Sequence, residues 1–274
     1  MLYVGLTINF FCIYTNFWQE SGSLKLSPVG LFLFLVFNLV LALGFVSHLR
    51  CWLSDPGRTP KIEPPNYLEA ELSRYCTFCK QCKPPRTHHC SDCKVCIHRM
   101  DHHCIWVNNC VGATNHKYFF LFLFYISLGS AVSLLIISVC VFQFFYSGQT
   151  KFASEKVVTG IACGVVCGFT LYTGVDFLLD QTEFFKDNQT TVESYQRRYG
   201  KPQNLVYTLY EVFGTNNCVW LLPVKPKLNL NYLEEIYKYS QVPHEEKKLP
   251  QIPVKKPLLL VFTIVTGSWL LLRL

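Results

Sequence analysis

Residues 76–110 decide the fold, and they read CTFCKQCKPPRTHHCSDCKVCIHRMDHHCIWVNNC. This stretch contains eight of the chain's fourteen cysteines and five of its eight histidines. A hydrophobic core does not need such a composition, whereas a tetrahedral zinc site is built from thiolate sulfur and imidazole nitrogen. Two residues between cysteines allow one tight turn to offer both sulfurs to one ion, so the spacing predicts zinc binding.

The candidate ligands outnumber what two closed zinc sites need. Two such sites take eight ligands, and the stretch offers eight cysteines and five histidines. The surplus includes a cysteine beside histidine and aspartate, which is the composition of an activated nucleophile. The residues alone leave open which cysteine is spare.

The overall composition is that of a membrane protein. Only 16% of the 274 residues are charged, against about 25% in soluble domains, and the apolar residues come in long blocks. An anionic membrane leaflet or an anionic cosubstrate explains the net charge of +7 better than nucleic acid, which we do not expect as a partner. Short Cys-x-x-Cys steps mixed with histidine favour metal over disulfides and suit the reducing cytosol.

The apolar blocks predict four membrane-spanning helices, at residues 2–18, 29–49, 118–146 and 157–179. A fifth block, residues 258–272, is short for a hydrocarbon core of about 30 Å and either dips into the membrane or crosses it with thinning. The predicted fold class is an all-α polytopic membrane protein with a zinc-binding Cys-rich domain between helices 2 and 3. The expected divisions are 1–50 for helices 1 and 2, 51–117 for the Cys-rich domain, 118–180 for helices 3 and 4, 181–256 for a C-terminal region, and 257–274 for an apolar end.

Basic residues predict the orientation of the chain in the membrane. They concentrate between the second and third spans and after the fourth, whereas the two opposite loops hold only Lys25, Lys151 and Lys156. The positive-inside rule therefore puts the Cys-rich domain and the C-terminal region in the cytosol. The glycosylation sequon at Asn188 is then expected to face the cytosol and to stay unmodified.

Several motifs in and around the stretch resemble those of one family. They are Asp55-Pro56-Gly57, Tyr75-Cys76-x-x-Cys79, Lys83-Pro84-Pro85-Arg86-x-His88-His89-Cys90, Cys93-x-x-Cys96, Met100-Asp101-His102-His103-Cys104, Trp106-Val107-Asn108-Asn109-Cys110-Val111-Gly112, Asn115 and Thr190-Thr191-x-Glu193. The chain resembles the DHHC-type protein S-acyltransferases (palmitoyltransferases), most densely over residues 75–120. The resemblance implies an integral membrane enzyme, expected in the Golgi or the endoplasmic reticulum, with its active site facing the cytosol.

The resemblance also implies two structural zinc ions, each held by three cysteines and one histidine. The first set is Cys76, Cys79, His89 and Cys96, and the second is Cys90, Cys93, His103 and Cys110. Both sites would be closed, without an open position for substrate. The alternative is a single zinc ribbon with additional free cysteines.

In the family's pattern Cys104 is the nucleophile, His102 its general base and Asp101 the group that fixes the imidazole tautomer. Acyl-CoA, such as palmitoyl-CoA, would be the cosubstrate, and Cys104 would pass the acyl group to membrane-proximal cysteines of target proteins. The alternatives are that Asp101 caps a turn, that His102 supports a zinc ligand and that Cys104 is a surface thiol. Cys82 is a second spare cysteine, and we interpret it as an ordinary thiol or a secondary acylation site.

Other residues receive supporting roles from the resemblance. Thr190 and Thr191 would hydrogen-bond toward Asp101, and Asp55 would hold the zinc domain against the membrane helices. We expect CoA phosphates to contact Lys83, Arg86 and His88, although ordinary positive-inside charge also explains these three residues.

Small residues in the spans suggest where helices pack and where a fatty chain fits. Gly160, Gly164, Gly168 and Gly174 predict close helix approach in the fourth span. Gly129, Ser130, Ala131 and Ser133 in the third span are hypothesised to leave room for chains of palmitoyl length or longer. Two rival functions are a membrane-anchored zinc module without chemistry and a zinc-dependent transporter. The intact DHHC motif argues against the first, and the few polar residues in the spans argue against the second.

Overall fold

The computed structural model describes residues 28–61, 75–146, 154–196 and 204–227. The helices are α1 (Pro28–Leu53), α2 (His116–Tyr146), α3 (Ser154–Asp187), α4 (Thr191–Tyr195) and α5 (Leu205–Phe213), followed by a 3-10 turn at Asn217–Val219. The predicted first span at 2–18 and the apolar block at 258–272 lie outside the described residues.

Three of the helices are long and apolar enough to cross a membrane. These segments are Leu35–Leu53, His116–Val139 and Gly160–Asp187, and they contain most of the predicted second, third and fourth spans. The helix α2 packs against both α1 and α3. Large apolar side chains such as Leu135, Val165 and Phe169 point outward from the bundle, as expected of helices in lipid. The described part of the chain is therefore mostly helical and suited to an integral membrane protein.

The Cys-rich region corrects the expectation of an all-α fold, because it contains six short strands. They are β1 (Tyr75–Cys76), β2 (Gln81–Cys82), β3 (Thr87–Cys90), β4 (Val95–His98), β5 (His102–Cys104) and β6 (Asn109–Val111). They pair as three separate antiparallel hairpins, β1–β2, β3–β4 and β5–β6. Isolated two-stranded ribbons are marginal in water, so these hairpins need another source of stability.

Two buried asparagines join the third hairpin to the end of α1. The last carbonyls of a helix have no partner inside the helix. Asn109 Nδ2 donates to the carbonyls of Cys51, Trp52 and Ser54 at 2.9–3.1 Å. Asn115 Nδ2 donates to the carbonyl of Cys51 at 3.3 Å and to that of Cys110 at 2.8 Å. The hairpin is thus fixed to the end of a membrane helix.

Two arginines join the second hairpin and its following turn to the chain after α3. The Arg86 guanidinium pairs with both carboxylate oxygens of Glu193 at 2.8 Å and also contacts Asn188. Arg99 donates to Glu211 at 2.6 Å and to Asn188 Oδ1 at 3.1 Å. The sequon residue Asn188 is thereby 5% exposed, so its side chain has a structural use.

The segment 204–227 packs on the beginning of α2. Asn204 caps α5 by accepting the N–H of Val206 at 3.0 Å. The buried Lys117 ammonium donates to the carbonyls of Val219 and Val224 at 2.9 and 3.1 Å. The aromatic rings of Phe120, Phe185, Phe213 and Trp220 meet in one cluster. The C-terminal region is therefore folded at residues 204–227.

The glycines of α3 behave differently from the sequence-based expectation. A methyl group placed on Gly160, Gly164 or Gly168 would meet no described atom within 4 Å, so no described helix packs against them. Gly174 alone of the four lies at a helix contact, against Ser127 of α2. Gly129 of α2 faces α1, since a Cβ there would lie 3.4 Å from Leu41 Cδ2.

Gly112 provides a test of this packing, because it lies where three segments of the Cys-rich region meet. A Cβ on Gly112 would clash with the Pro56 carbonyl oxygen and lie 2.7 Å from Ile97 Cγ2 and 3.1 Å from the His98 carbonyl. Backbone atoms cannot yield cheaply, so we expect Gly112→Ala to destabilise the protein by about 1–3 kcal/mol. A lower thermal unfolding midpoint and loss of bound zinc in detergent would show it.

The matched control is Gly160→Ala, whose new methyl group meets no described atom within 4 Å. Alanine is the better helix former by roughly 0.5–1 kcal/mol, so this variant should be as stable as the wild type or more so. Equal stability of the two variants would contradict the packing described around Gly112.

Candidate metal sites and nucleophile

The first group of metal-ligating side chains spans the first two hairpins. Cys76, Cys79, His89 and Cys96 place one nitrogen and three sulfur atoms within 4.8 Å of one another. His89 Nδ1 lies 3.2 Å from Cys79 Sγ and 4.0 Å from Cys96 Sγ. With Zn–S and Zn–N bonds of about 2.3 and 2.0 Å, the ligand atoms of a tetrahedral site lie about 3.5–3.8 Å apart. The group therefore has the size of a zinc site.

The second group joins the second and third hairpins. It consists of Cys90, Cys93, His103 and Cys110, again within 4.8 Å of one another. His103 Nδ1 lies 3.6 Å from Cys90 Sγ, 3.4 Å from Cys93 Sγ and 3.7 Å from Cys110 Sγ. These separations also fit a tetrahedral zinc ion. The two groups hold the same eight residues that the family resemblance assigns to the two ions.

The sulfur chemistry of both groups fits a bound cation. Burial and the neighbouring sulfurs raise the pKa of Cys96 and that of Cys110 well above the usual range of a thiol. The sulfurs in each group would repel one another as thiolates, and a divalent ion between them removes that penalty. The residues present therefore fit two structural zinc ions.

Among the described residues, Cys104 belongs to neither metal-ligating group. The turn that follows it resembles the turns that follow Cys76 and Cys90. In the two metal-ligating turns the sulfur of the first cysteine accepts an N–H from three residues on, as Cys76 does from Cys79 at 3.4 Å and Cys90 from Cys93 at 3.3 Å. In the third hairpin Val107 stands where the second cysteine would be. The Val107 and Trp106 N–H groups interact with Cys104 Sγ, so its sulfur has amide donors and no second cysteine in its own turn.

His102 and Asp101 form a close pair next to this sulfur. His102 Nδ1 donates to Asp101 Oδ2 at 2.8 Å, which leaves the other ring nitrogen for Cys104. Burial alone would lower the pKa of His102, but Asp101 and Cys104 raise it to about 9. Burial raises the pKa of Asp101, yet His102, His116 and the Thr191 N–H lower it further, so the carboxylate stays ionised.

The thiol itself is shifted toward its ionised form. Burial raises the pKa of Cys104, but the His102 side chain and the N–H groups of Val107 and Trp106 outweigh burial and lower it. Cys104 is 5% exposed, whereas the next two residues, Ile105 and Trp106, are 77% and 67% exposed. A thiolate beside an imidazolium is the reactive form of cysteine.

Thr190, Thr191 and Asp55 make hydrogen bonds that differ in their atoms from those expected from the resemblance. The Thr191 backbone N–H, not its hydroxyl, donates to Asp101 Oδ1 at 2.7 Å. Thr190 caps α4 by accepting the Glu193 N–H at 3.2 Å, and Glu193 accepts the Thr190 N–H in return. Asp55 accepts the N–H groups of Gly57 and Arg58 at 2.8 Å, and its carbonyl accepts the Thr114 hydroxyl.

Arg86 is largely used inside the protein. Four of the five N–H groups of a guanidinium are accounted for by its bonds to Glu193 and Asn188. A phosphate contact would have only one N–H left, which weakens the expectation for Arg86 and leaves Lys83 and His88, both half-buried, as candidates.

Sequence reasoning missed three side chains that surround the reactive hairpin. His48 of α1 hydrogen-bonds to the Trp106 carbonyl at 3.0 Å, on the turn that carries Cys104. His116 is buried and hydrogen-bonds to Gln181 of α3. Each pair is separated by at least 58 residues, so local spacing carried no signal for them.

The chain matches a family model described as DHHC palmitoyltransferase over residues 69–198. It is 30% identical to probable protein S-acyltransferase 12 of Arabidopsis thaliana over 234 residues, which cover 77% of this chain and 79% of that protein. It is also 30% identical to probable protein S-acyltransferase 14 of the same plant, over 85% of each chain.

Palmitoyltransferase ZDHHC3 of Homo sapiens is 44% identical over 158 residues, which cover 55% of this chain and 52% of that protein. The residues that match the family model include the Cys-rich hairpins together with α2 and α3. The chain with the two Cys/His groups and the Asp101–His102–Cys104 arrangement is therefore a member of the DHHC family of protein S-acyltransferases.

Proposed function

We propose that this protein S-acyltransferase carries the acyl group on Cys104, taking it from a long-chain acyl-CoA and passing it to cysteines of target proteins. The observation that carries the proposal is the 2.8 Å pair between His102 Nδ1 and Asp101 Oδ2, beside a thiol that neither metal group uses. The two metal groups use six of the eight cysteines in the stretch, and of the two that remain, Cys82 and Cys104, only Cys104 follows directly on the Asp-His-His run.

The first step transfers the acyl group to the enzyme. His102 takes the proton of Cys104, and the sulfur attacks the thioester carbonyl of acyl-CoA. The bond from the carbonyl carbon to Cys104 Sγ forms, and the bond to the CoA sulfur breaks. The imidazolium returns the proton to the departing CoA thiolate. Asp101 keeps the ring in the required tautomer and stabilises its charged form, as in a Ser/His/Asp triad.

The second step repeats the first with a different thiol. The acceptor cysteine loses its proton to His102 and attacks the acyl-Cys104 thioester, which restores the Cys104 sulfur. One thioester is exchanged for another in each step, so the free energies of reactants and products are nearly equal and the reaction needs no additional energy source. The bound zinc ions would supply rigidity and positive charge, and their eight protein ligands leave no position for substrate.

The helix ends support a location at the membrane surface. The C-terminal end of α1 and the N-terminal end of α2 both meet the Cys-rich hairpins, and Asn188, just after α3, meets Arg86. The full arrangement would have four spans, including residues 2–18, in the membrane of the Golgi or endoplasmic reticulum, with the Cys-rich domain facing the cytosol. Target cysteines would then have to lie close to the bilayer.

The experiment that tests this function labels the purified chain with a long-chain acyl-CoA. The wild-type protein should acquire a label that neutral hydroxylamine removes, as expected of a thioester. Cys104→Ser should acquire none and should transfer none to a cysteine peptide. Bound zinc and the thermal midpoint should remain those of the wild type, because Cys104 is not a ligand.

The matched control is Cys82→Ser, which alters a second non-ligand cysteine of the same region. It should keep the hydroxylamine-sensitive label and the transfer activity. A Cys104→Ser protein that loses zinc, or one that still forms the acyl-enzyme, would contradict the proposal.

Binding of CoA can be separated from structural roles at Lys83 and Arg86. We expect Lys83→Ala to raise the acyl-CoA concentration for half-maximal labelling about fivefold, the loss of roughly one exposed charge contact. Arg86→Ala should instead lower the thermal midpoint and leave that concentration unchanged, because Glu193 and Asn188 use its guanidinium. The reverse pattern would assign the phosphate to Arg86.

The preference for acyl-chain length can be tested at Gly129, where we propose that α1 and α2 enclose the end of the acyl chain. A side chain at this position projects toward Leu41 and Val40. Gly129→Phe should shift the preference to shorter acyl-CoA species in a competition assay, while Gly160→Phe, at a position where an added Cβ meets no described atom within 4 Å, should not. An unchanged chain-length profile in Gly129→Phe would reject this role.

A further inference from the structure

Two buried polar side chains from the membrane helices lie behind the proposed catalytic pair. His116, the first residue of α2, and Gln181 of α3 are 2% and 3% exposed. His116 Nε2 hydrogen-bonds to Gln181 Oε1. Gln181 Nε2 lies 3.5 Å from Asp101 Oδ2, at the long end of hydrogen-bonding distances. The three side chains form a line that starts in the helices and ends at the carboxylate.

The direction of this line follows from the groups in it. A glutamine amide oxygen only accepts and its nitrogen only donates. With His116 donating to Oε1, the amide NH₂ must face Asp101, because a flipped amide would set oxygen against a carboxylate. The aromatic rings of Phe184 and Phe185 lie 4.3 and 6.0 Å from the His116 ring and hold it in place.

Burying these polar groups costs desolvation free energy, which apolar side chains at the same positions would avoid. A buried amide or imidazole is unfavourable unless it is hydrogen-bonded, and an apolar side chain would fill the same space between α2 and α3. Asp101 itself is 0% exposed, so every donor that holds its carboxylate comes from the protein. Its Oδ1 has the Thr191 N–H at 2.7 Å, and its Oδ2 is shared by His102 and Gln181.

We propose that Gln181, oriented by His116, is a positioning residue that fixes the Asp101 carboxylate for its bond with His102. This inference rests on the proposed role of Cys104, His102 and Asp101. Thr191 holds one carboxylate oxygen from the side of α4, and Gln181 holds the other from the side of α3. Together the two donors prevent rotation of the carboxylate, so that the His102 ring keeps one orientation toward Cys104.

The test is single-turnover acylation of the full-length protein in detergent with palmitoyl-CoA, using Gln181→Met. Methionine keeps the size and loses the donor. The loss of one hydrogen bond to a charged group corresponds to a fall of about tenfold or more in the rate at saturating acyl-CoA. The acyl-CoA concentration for half-maximal rate, the bound zinc and the thermal midpoint should not change. An unchanged saturating rate would overturn the inference.

The matched control is Thr170→Val, another buried polar residue of α3, whose hydroxyl bonds only within its own helix at 2.8 Å. It should keep the wild-type rate. If Gln181→Met loses stability, His116→Phe replaces it, since phenylalanine retains the aromatic packing and removes the donor that orients the amide. That variant should show a severalfold lower saturating rate with the same half-maximal concentration, and a wild-type rate would overturn the inference.

A double-variant comparison separates positioning from general support of the fold. In an Asp101→Asn background, Gln181→Met should reduce the residual rate no further, because the carboxylate on which Gln181 acts is gone. An equal reduction in both backgrounds would mean that Gln181 does not act through Asp101. If Cys104→Ser abolishes labelling and Asp101→Asn lowers the rate while Gln181→Met keeps the wild-type saturating rate, the inference fails and the proposed function remains. Labelling of Cys104→Ser would contradict the proposed function itself.

Discussion

The convergence of eight sulfur and nitrogen ligand atoms into two groups is the constraint on which the rest of the structure depends. Within the described residues, the apolar cluster that belongs to the hairpins alone is small and centres on Cys90, Ile97, Met100 and Cys110. Such a cluster cannot hold three ribbons together. Adjacent residues of β3, His89 and Cys90, contribute to different groups. Each ion would therefore hold two hairpins, and the middle hairpin would belong to both.

Apolar side chains of the third hairpin pack into the same cluster as those of the helices, and polar contacts fix the orientation of the hairpins. Asn109 and Asn115 satisfy carbonyls at the end of α1, and Arg86 pairs with Glu193 at 2.8 Å with their side chains 23% and 6% exposed. A largely buried ion pair adds little net stability, because desolvation offsets the attraction. It has a defined geometry, however, and a bidentate pair cannot slide. The hairpins are therefore held in one orientation relative to the long helices.

How much the sequence predicted depends on the range of each interaction. The metal-ligating groups and the spare Cys104 follow from spacing within 35 residues and from the family pattern. The long helices follow from apolar blocks, whereas strands of two to four residues are too short to show an alternating pattern. Arg86 was ambiguous, because its carboxylate partner lies 107 residues away. The glycines at 160, 164 and 168 matched a packing motif without a described partner, since small residues permit close approach and do not require it.

The third hairpin explains how a sulfur inside a zinc-binding region can remain reactive. Its turn offers amide donors to Cys104 in the way that the other turns offer them to Cys76 and Cys90. Those donors favour a thiolate whether or not a metal is bound. In the other turns the second cysteine belongs to the same ligand group as the first, so a bound ion would take up the thiolate. Val107, 1% exposed, stands at that position here, so the same turn stabilises a thiolate that no metal ligand set includes. His48, which bonds to the Trp106 carbonyl, holds the peptide whose opposite side carries the Val107 N–H. A turn of the metal-binding type without its second cysteine thus supports the proposed nucleophile.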